Sequence, residues 1–188
     1  EREAGKRNPF FLAPNYQMTE LQGAVALAQL KKLDRIIERR NALGTQLTDY
    51  LQQIPGITPQ LVPEGCRHSY FLFLFRVDLQ ELHVSLEEFS KALAAEGIPN
   101  SPHLITGGMC EYQYDIFRNR SAFPNSLHPF VNSGLATDVS YHDGLCPNAE
   151  KAFTETINLA INEFYTEQDI KEMAAAIEKV ALYYRLQR

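Results

Sequence analysis

The residues best suited to bind a charged ligand lie in one short segment near the amino terminus. Asn15, Tyr16 and Gln17 stand in a polar turn that leads into a predicted helix start at Glu20. Backbone amides at a helix start, together with an Asn side chain, can bind an anion because that end of a helix is electropositive. An ordinary capping turn explains the same residues, and physical chemistry alone favours that simpler interpretation.

A second group of chemically capable residues lies in and beside a long stretch without periodicity, from Ile98 to Leu145. Its thiols and imidazoles follow no metal-binding spacing; they are His103, Cys110, His128, His142 and Cys146. The turn Thr106-Gly107-Gly108 lacks the Lys and Ser/Thr of a phosphate-binding loop, and the sequence has no Gly-x-Ser-x-Gly elbow. We therefore predict neither a metal site nor a catalytic residue within the chain. The stretch is rich in aromatic residues, which favours an ordered loop that faces a ligand.

The composition excludes several classes of protein. The 188 residues are 45% hydrophobic and 22% charged, as in ordinary globular proteins, and the net charge is −5. An acidic chain without a basic stripe does not favour nucleic-acid binding, and no apolar run approaches the roughly 18 residues that span a bilayer. Three cysteines and the absence of a signal-peptide core favour a cytoplasmic location. The first residue is Glu, which predicts a piece of a longer protein.

The helix that must position the amino-terminal turn is predicted to be long and continuous, from about Glu20 to Ile54. Thr19 and Gln22 have the spacing of a capping box, in which each side chain bonds the other's backbone amide. Gly44 is a position where this helix could bend. Arg39 and Arg40 are predicted to belong to a solvent-exposed face.

The remaining chain alternates between strand and helix patterns. We predict a strand at His68–Val77, a helix at Leu86–Glu96 capped by Ser85, a short helix from Pro147, a strand at Ile157–Ile161 and a last helix capped by Thr166. This order predicts an α/β (α+β) fold in which a small sheet of two or three strands is covered by helices.

The segment Asn15–Ala24 and its continuation to Arg40 resemble the helix signature of the DegT/StrS family of pyridoxal-phosphate-dependent aminotransferases. Further segments resemble later parts of that family in the expected order; they are His68–Phe73, Glu96–Pro99, Cys146–Glu150 and Ile161–Ile170. The chain is thereby identified with the carboxyl-terminal portion of such an enzyme. Many members act on nucleotide-linked keto sugars and some on cyclitols.

The resemblance implies the fold and the division of labour within the parent protein. It implies the small carboxyl-terminal domain of the aspartate-aminotransferase (type I) fold, with an arm and cofactor-facing turn at 1–19 and an interdomain helix plus small domain at 20–188. The Schiff-base lysine of the family lies upstream of the matched segment. We therefore expect the parent to bind pyridoxal 5'-phosphate and the isolated chain to be inactive.

The resemblance also implies roles for individual residues. Asn15 would bind the cofactor phosphate of the other subunit in a homodimer, and Tyr16 and Gln17 would lie on the substrate side, although many members have a basic residue where Gln17 stands. His103 and Tyr112 are candidates to contact the acceptor. The parent would move an amino group from glutamate or glutamine to a keto sugar or cyclitol, in nucleotide-sugar biosynthesis for example. The alternative is a non-catalytic module that dimerises or binds a partner through its long helix.

Overall fold

The computed structural model describes residues 16–103, 108–130 and 140–187. The chain divides into two compact units, residues 1–36 and 37–188. The helices and strands in chain order are α1 Glu20–Leu30, α2 Leu33–Leu51, β1 Ile57–Pro59, β2 Phe73–Val77, α3 Leu86–Ala95, β3 Asn100–Pro102, α4 Asp115–Arg118, α5 Pro147–Glu155, β4 Thr156–Leu159 and α6 Glu167–Leu186. This alternation of helices and strands confirms the predicted fold class.

The first unit is built around α1, which begins as the sequence predicts. The Thr19 hydroxyl accepts a hydrogen bond from the Gln22 amide, and the Gln22 side chain accepts one from the Thr19 amide at 2.9 Å. The prediction of one continuous helix is wrong, since a turn at Lys31 and Lys32 separates α1 from α2. There the Lys32 amide donates to the Gln29 carbonyl at 2.9 Å, a bond one residue shorter than an α-helix makes.

The second unit contains one antiparallel sheet with the strand order β1-β2-β4-β3. The two central strands pair Phe75 with Ile157, and β3 joins the outer side of β4 by pairing Pro102 with Ile157. The described residues contain four strands where two or three were predicted. The two additional strands, β1 and β3, have three residues each, which is too short for the alternating pattern that predicts a strand.

The hydrophobic core of the second unit lies where β2 and β4 meet α2, α3 and α6. Its largest fully buried side chains are Phe73, Phe75, Phe89, Leu43, Leu47, Leu51, Leu82, Leu86, Leu93, Ile157, Leu159 and Ile170. The predicted capping boxes at Ser85 and Thr166 are both present and fix where α3 and α6 begin. Apolar residues of both helices, such as Phe89 of α3 and Ile170 of α6, lie in this core.

Tyr70 and Gly44 correct two details of the sequence analysis. The strand begins at Phe73 rather than His68, because Tyr70 takes a left-handed conformation (φ 47°) before it. The Tyr70 ring packs so closely on α2 that a Cβ added to Gly44 would lie 2.5 Å from it. Helix α2 runs through Gly44 without interruption, so this glycine makes room for the ring instead of bending the helix.

The predicted solvent-exposed face of Arg39 and Arg40 is also wrong. Arg40 donates two hydrogen bonds to one carboxylate oxygen of Glu163, at 3.1 and 2.9 Å. Arg39 donates to Glu167 at 2.6 Å and to the Tyr165 carbonyl at 2.8 Å. Both arginines therefore fasten α2 to the segment that connects β4 with α6.

Candidate functional site

The amino-terminal turn is described only in part. Asn15 lies outside the described residues, so its predicted contact with a phosphate stays a prediction. Tyr16 is 88% exposed, and Tyr16 and Gln17 lie just before the Thr19 cap of α1. Glu20 places a carboxylate in the first turn, where a negative charge occupies the electropositive end of the helix. The predicted role of this turn in binding a phosphate therefore stays a prediction.

His103 lies at the end of β3, and the surrounding elements bind both its backbone and its side chain. Its amide donates to the Thr156 carbonyl at 3.1 Å, and its carbonyl accepts from the Gly108 amide at 3.2 Å. The ring nitrogens Nε2 and Nδ1 lie 2.7 Å from Glu87 Oε1 and 3.1 Å from the Phe153 carbonyl oxygen. In this arrangement both ring nitrogens are engaged by the chain itself.

Tyr112 forms hydrogen bonds with residues at the start of α5. Its hydroxyl donates to Glu150 and accepts from the Cys146 amide at 3.3 Å. Glu150 also accepts from the Gly144 amide at 2.7 Å. Desolvation, then the hydrogen bond to Glu150, raise the pKa of Tyr112 to about 12, so the phenol stays protonated near neutral pH.

One helix therefore anchors both of the residues predicted to contact the acceptor. Tyr112 binds Glu150 and His103 binds the carbonyl of Phe153, and these two partners lie three residues apart on α5. Their role towards a substrate stays a prediction. Sequence reasoning missed both carboxylate partners. The sequence contains a weak indication that Glu150 could bind a donor, since it lies in the first turn of a helix that begins at Pro147. It contains no such indication for Glu87.

Cys110 is the buried member of the three cysteines. It is 3% exposed and precedes a 3₁₀ turn that contains Tyr112, whereas Cys66 and Cys146 are exposed. Burial raises the pKa of the Cys110 thiol, which keeps it in the poorly nucleophilic thiol form. The position is therefore that of a packed side chain.

The described part of the 98–145 loop is ordered around aromatic rings. Phe117, Phe130 and Tyr141 form a cluster with ring centroids 5.5 to 6.2 Å apart. Seven residues between Asn119 and Leu127 line a shallow depression of about 260 Å³. The three rings are half-buried, so they contact one another at the surface, and the predicted ligand-facing role of the loop stays a prediction.

Neither a metal-binding cluster nor a membrane-spanning helix is found among the described residues. Within them, no group of three or more His, Cys, Asp or Glu side chains could hold a metal ion. None of the helices in the same ranges has the length and apolar character needed to cross a membrane.

Comparison with known proteins decides the family. Residues 2–130 match the DegT/DnrJ/EryC1/StrS aminotransferase family. The chain belongs to this family. The membership predicted from the Asn15–Arg40 segment is confirmed, and with it pyridoxal phosphate as the cofactor of the family.

Individual known proteins also match most of this chain. The spore coat polysaccharide biosynthesis protein SpsC of Bacillus subtilis is 26% identical over 171 residues, which cover 89% of this chain and 38% of SpsC. The aminotransferase PseC of Helicobacter pylori, involved in the biosynthesis of pseudoaminic acid, superposes with a TM-score of 0.70 at 16% identity, over 97% of this chain and 43% of PseC.

A third similar structure is a GDP-4-keto-6-deoxymannose-3-dehydratase with a trapped PLP-glutamate geminal diamine. Its TM-score is 0.60 at 21% identity, over 89% of this chain and 38% of that protein. At such identities the superpositions establish the fold, which is that of pyridoxal-phosphate aminotransferases. The chain spans about two fifths of the length of these relatives.

Proposed function

We propose that the chain is the carboxyl-terminal part of a pyridoxal-phosphate-dependent aminotransferase. The parent enzyme transfers an amino group from glutamate or glutamine to a keto sugar or a cyclitol. The family match over residues 2–130 carries this proposal. The dehydratase with its trapped PLP-glutamate adduct supports glutamate as a donor within this fold.

The proposal divides the catalytic work between this chain and the rest of the parent. Bound pyridoxal phosphate supplies the electron sink for amino-group transfer and needs a lysine as its covalent anchor. The lysines that the structure describes are all exposed; they are Lys31, Lys32, Lys91, Lys151, Lys171 and Lys179. An exposed lysine has neither the desolvation nor the fixed position that the anchor requires. In the proposal, these 188 residues bind and orient the acceptor while the anchor lies upstream.

Borohydride reduction tests this division. The full-length parent is reduced in the presence of pyridoxal phosphate, digested and mapped by mass spectrometry, and the isolated chain is treated in parallel. We expect a pyridoxyl label on a lysine upstream of Glu1 and no stoichiometric label in the isolated chain. A stoichiometric label on a lysine within these 188 residues would contradict the division.

The cofactor role of Asn15 can be tested separately in the full-length parent. Asn15→Ala should weaken cofactor binding by about 1–3 kcal/mol, the usual loss for a hydrogen bond to a charged group. Asn15→Asp should weaken it further, because a carboxylate repels the phosphate. Asn148→Ala, at an exposed asparagine of α5, is the matched control and should leave cofactor affinity unchanged. Equal affinities in all four proteins would return Asn15 to the capping-turn interpretation.

Acceptor specificity needs a direct assay. Purified parent enzyme is incubated with glutamate or glutamine and either a nucleotide-linked keto sugar or a keto cyclitol, and the aminated product is detected by mass spectrometry. We expect turnover with one acceptor class. Turnover of neither class with either donor would argue against the proposal.

A second candidate function is a dimerisation or interaction module, and α1 is the observation that favours it. The helix has no buried residue, although its sequence is apolar. Leu21 is 76% exposed and Leu30 is 63% exposed. Apolar surface of this kind tends to be covered by another protein surface. A homodimer is the occupant we propose, and it is compatible with the aminotransferase function.

A further inference from the structure

The imidazole of His103 faces a hydrogen-bond acceptor at each nitrogen. Nε2 lies 2.7 Å from the Glu87 carboxylate, and Nδ1 lies 3.1 Å from the backbone carbonyl of Phe153. A neutral imidazole has one N–H and one lone pair, so it can donate to only one of these oxygens. Its other nitrogen would then place a lone pair against an oxygen. An imidazolium has two N–H groups and satisfies both acceptors.

A protonated Glu87 would be the other way to satisfy the ring, by donating to Nε2. The surroundings of Glu87 oppose this. The pKa of this carboxyl is lowered first by a hydrogen bond to the backbone of Glu87 itself and then by the hydrogen bond to His103. The charge of Lys91 lowers it further, by a smaller amount. Glu87 is therefore ionised near neutral pH and only accepts.

The position of Phe153 adds an independent reason for a positive charge. Phe153 lies in the last turn of the nine-residue helix α5, where backbone carbonyls have no partner further along the helix. The negative end of the helix dipole lies at the same place, and it favours a cation. The ring therefore lies between a carboxylate and a helix carboxyl terminus, both of which stabilise the protonated form.

We propose that His103 is a positioning residue that acts as an imidazolium, with Glu87 as its counter-ion, and ties the first turn of α3 to the last turn of α5. The inference concerns contacts within this chain, so it stands or falls independently of the proposed transamination.

Among the described residues, the other charged groups on the surrounding elements bind elsewhere, apart from Lys91 of α3, whose charge also acts on Glu87. On α5, Lys151 and Glu155 pair at 3.7 Å, and Glu155 lies 3.9 Å from Arg76 of β2. On α3, Glu88 is bonded to Ser85 in the capping box. Strands β3 and β4 contain no titratable side chain. Glu87 is therefore the carboxylate that contacts the ring directly.

The arrangement predicts which contact is lost when the ring carries one hydrogen instead of two. A charged acceptor binds an N–H more strongly than a neutral one, so the proton stays on Nε2, next to Glu87. Nδ1 then faces the Phe153 carbonyl without a hydrogen, and the link to α5 is lost while the link to α3 remains.

The ¹⁵N chemical shifts of the imidazole measure this directly, since they report whether each nitrogen carries a hydrogen. The intact chain, uniformly labelled, is titrated by NMR, and His103→Asn identifies the His103 signals. Asn is suited to this replacement because it tolerates the left-handed backbone at this position (φ 59°). The decisive variant is Glu87→Gln, and Glu88→Gln on the same turn is its matched control.

The variants have opposite expected outcomes. In Glu87→Gln, the amide can donate to Nε2, so the neutral ring should move its hydrogen to Nδ1 and keep the Phe153 contact. The doubly protonated fraction, compared with wild type at the same pH, should fall at least twofold in this variant because the counter-ion is gone. Wild type and Glu88→Gln should both show the Nε2–H form at high pH. An Nδ1–H form in the wild type, or identical behaviour of Glu87→Gln and wild type, would overturn the inference.

Discussion

Tyr70 has a conformation that its residue type rarely adopts, and its neighbours explain how it is maintained. A φ of 47° places a bulky aromatic residue in the left-handed region, where strain is expected. Its ring is 4% exposed, lies against His68 with centroids 4.6 Å apart, and covers the Gly44 position of α2. Burial of this ring compensates for the strained backbone, so the glycine and the tyrosine form one packing unit.

Gly44→Ala tests this packing unit. In an open helix the change would add up to about 1 kcal/mol of stability. Here the new methyl group would lie 2.5 Å from the Tyr70 ring, and overpacking of this kind costs about 1–3 kcal/mol. We expect a lower free energy of unfolding in urea denaturation.

The control for Gly44→Ala is the same change in a Tyr70→Ala background, where the methyl group meets no ring. There it should be neutral or stabilising. The same loss of stability in both backgrounds would show that the Tyr70 contact is not the cause.

The limits of sequence reasoning are clearest at individual residues. His103 and Tyr112 could be selected by residue type and by the family resemblance. Their carboxylate partners lie 16 and 38 residues away along the chain, so no local pattern joins them. The same holds for Arg40, whose partner Glu163 is 123 residues away.

At the scale of elements, the sequence predicts most reliably what a single turn determines. The capping boxes at Thr19, Ser85 and Thr166 were all predicted, because each is made by residues three positions apart. The turn at Lys31 and Lys32 was missed, since no proline or glycine marks it. Strands β1 and β3 were missed because their strand conformation depends on pairing with β2 and β4.

Thr166→Ala should show what a capping box contributes to stability. Loss of the hydroxyl should cost about 1 kcal/mol of unfolding free energy, measured by urea denaturation. Thr154→Ala is the matched control, since that hydroxyl bonds only the Lys151 carbonyl of its own helix. Equal effects of the two changes would contradict a special role for the cap.

The same box predicts a pH dependence. Hydrogen bonds from the Thr166 amide and then from its hydroxyl lower the pKa of Asp169. The stabilisation is therefore complete above the pKa that Asp169 has in the unfolded chain, and it is lost as the pH falls through the lower folded value. Stability of wild type should fall more steeply on acidification than that of Thr166→Ala.

The coupling energy of the ion pair between Arg40 and Glu163 can be measured with a double-mutant cycle. Both side chains are less than a quarter exposed, so screening by water is reduced. We expect a coupling energy of about 1 kcal/mol from chemical denaturation of the two single variants and the double variant. The pair of Lys179 and Glu96 is the control, with Lys179 69% exposed, and its coupling should be close to zero. Equal couplings would mean that partial burial adds nothing.

At the scale of the whole molecule, the family resemblance supplied what local patterns could not. The apolar surface of α1 has no explanation within the first unit, where none of its residues is buried. The relatives are more than twice as long as this chain, so a dimer of the parent would offer additional surface to cover such a helix. We interpret the exposed helix as part of the proposed homodimer interface.

Sedimentation velocity tests whether a second copy can cover α1 in the isolated chain. Wild type should self-associate with rising concentration. Leu21→Gln combined with Val25→Gln, two exposed apolar residues on the same face of α1, should weaken this association at least tenfold. Leu61→Gln is the matched control, at a residue of the second unit that is 88% exposed, and should leave it unchanged. A monomer at all concentrations, or equal association in every variant, would exclude α1 as the contact.

The thiol of Cys110 is buried, whereas those of Cys66 and Cys146 are exposed, and this difference allows selective labelling. Maleimide dyes or nitroxide spin labels should attach to Cys66, in the connection between β1 and β2, and to Cys146, at the start of α5, while sparing Cys110. The unmutated chain thus provides its own pair of reporter positions for spectroscopic distance measurements. The distance between the two labels would report movement of α5 during a pH titration of the natural sequence.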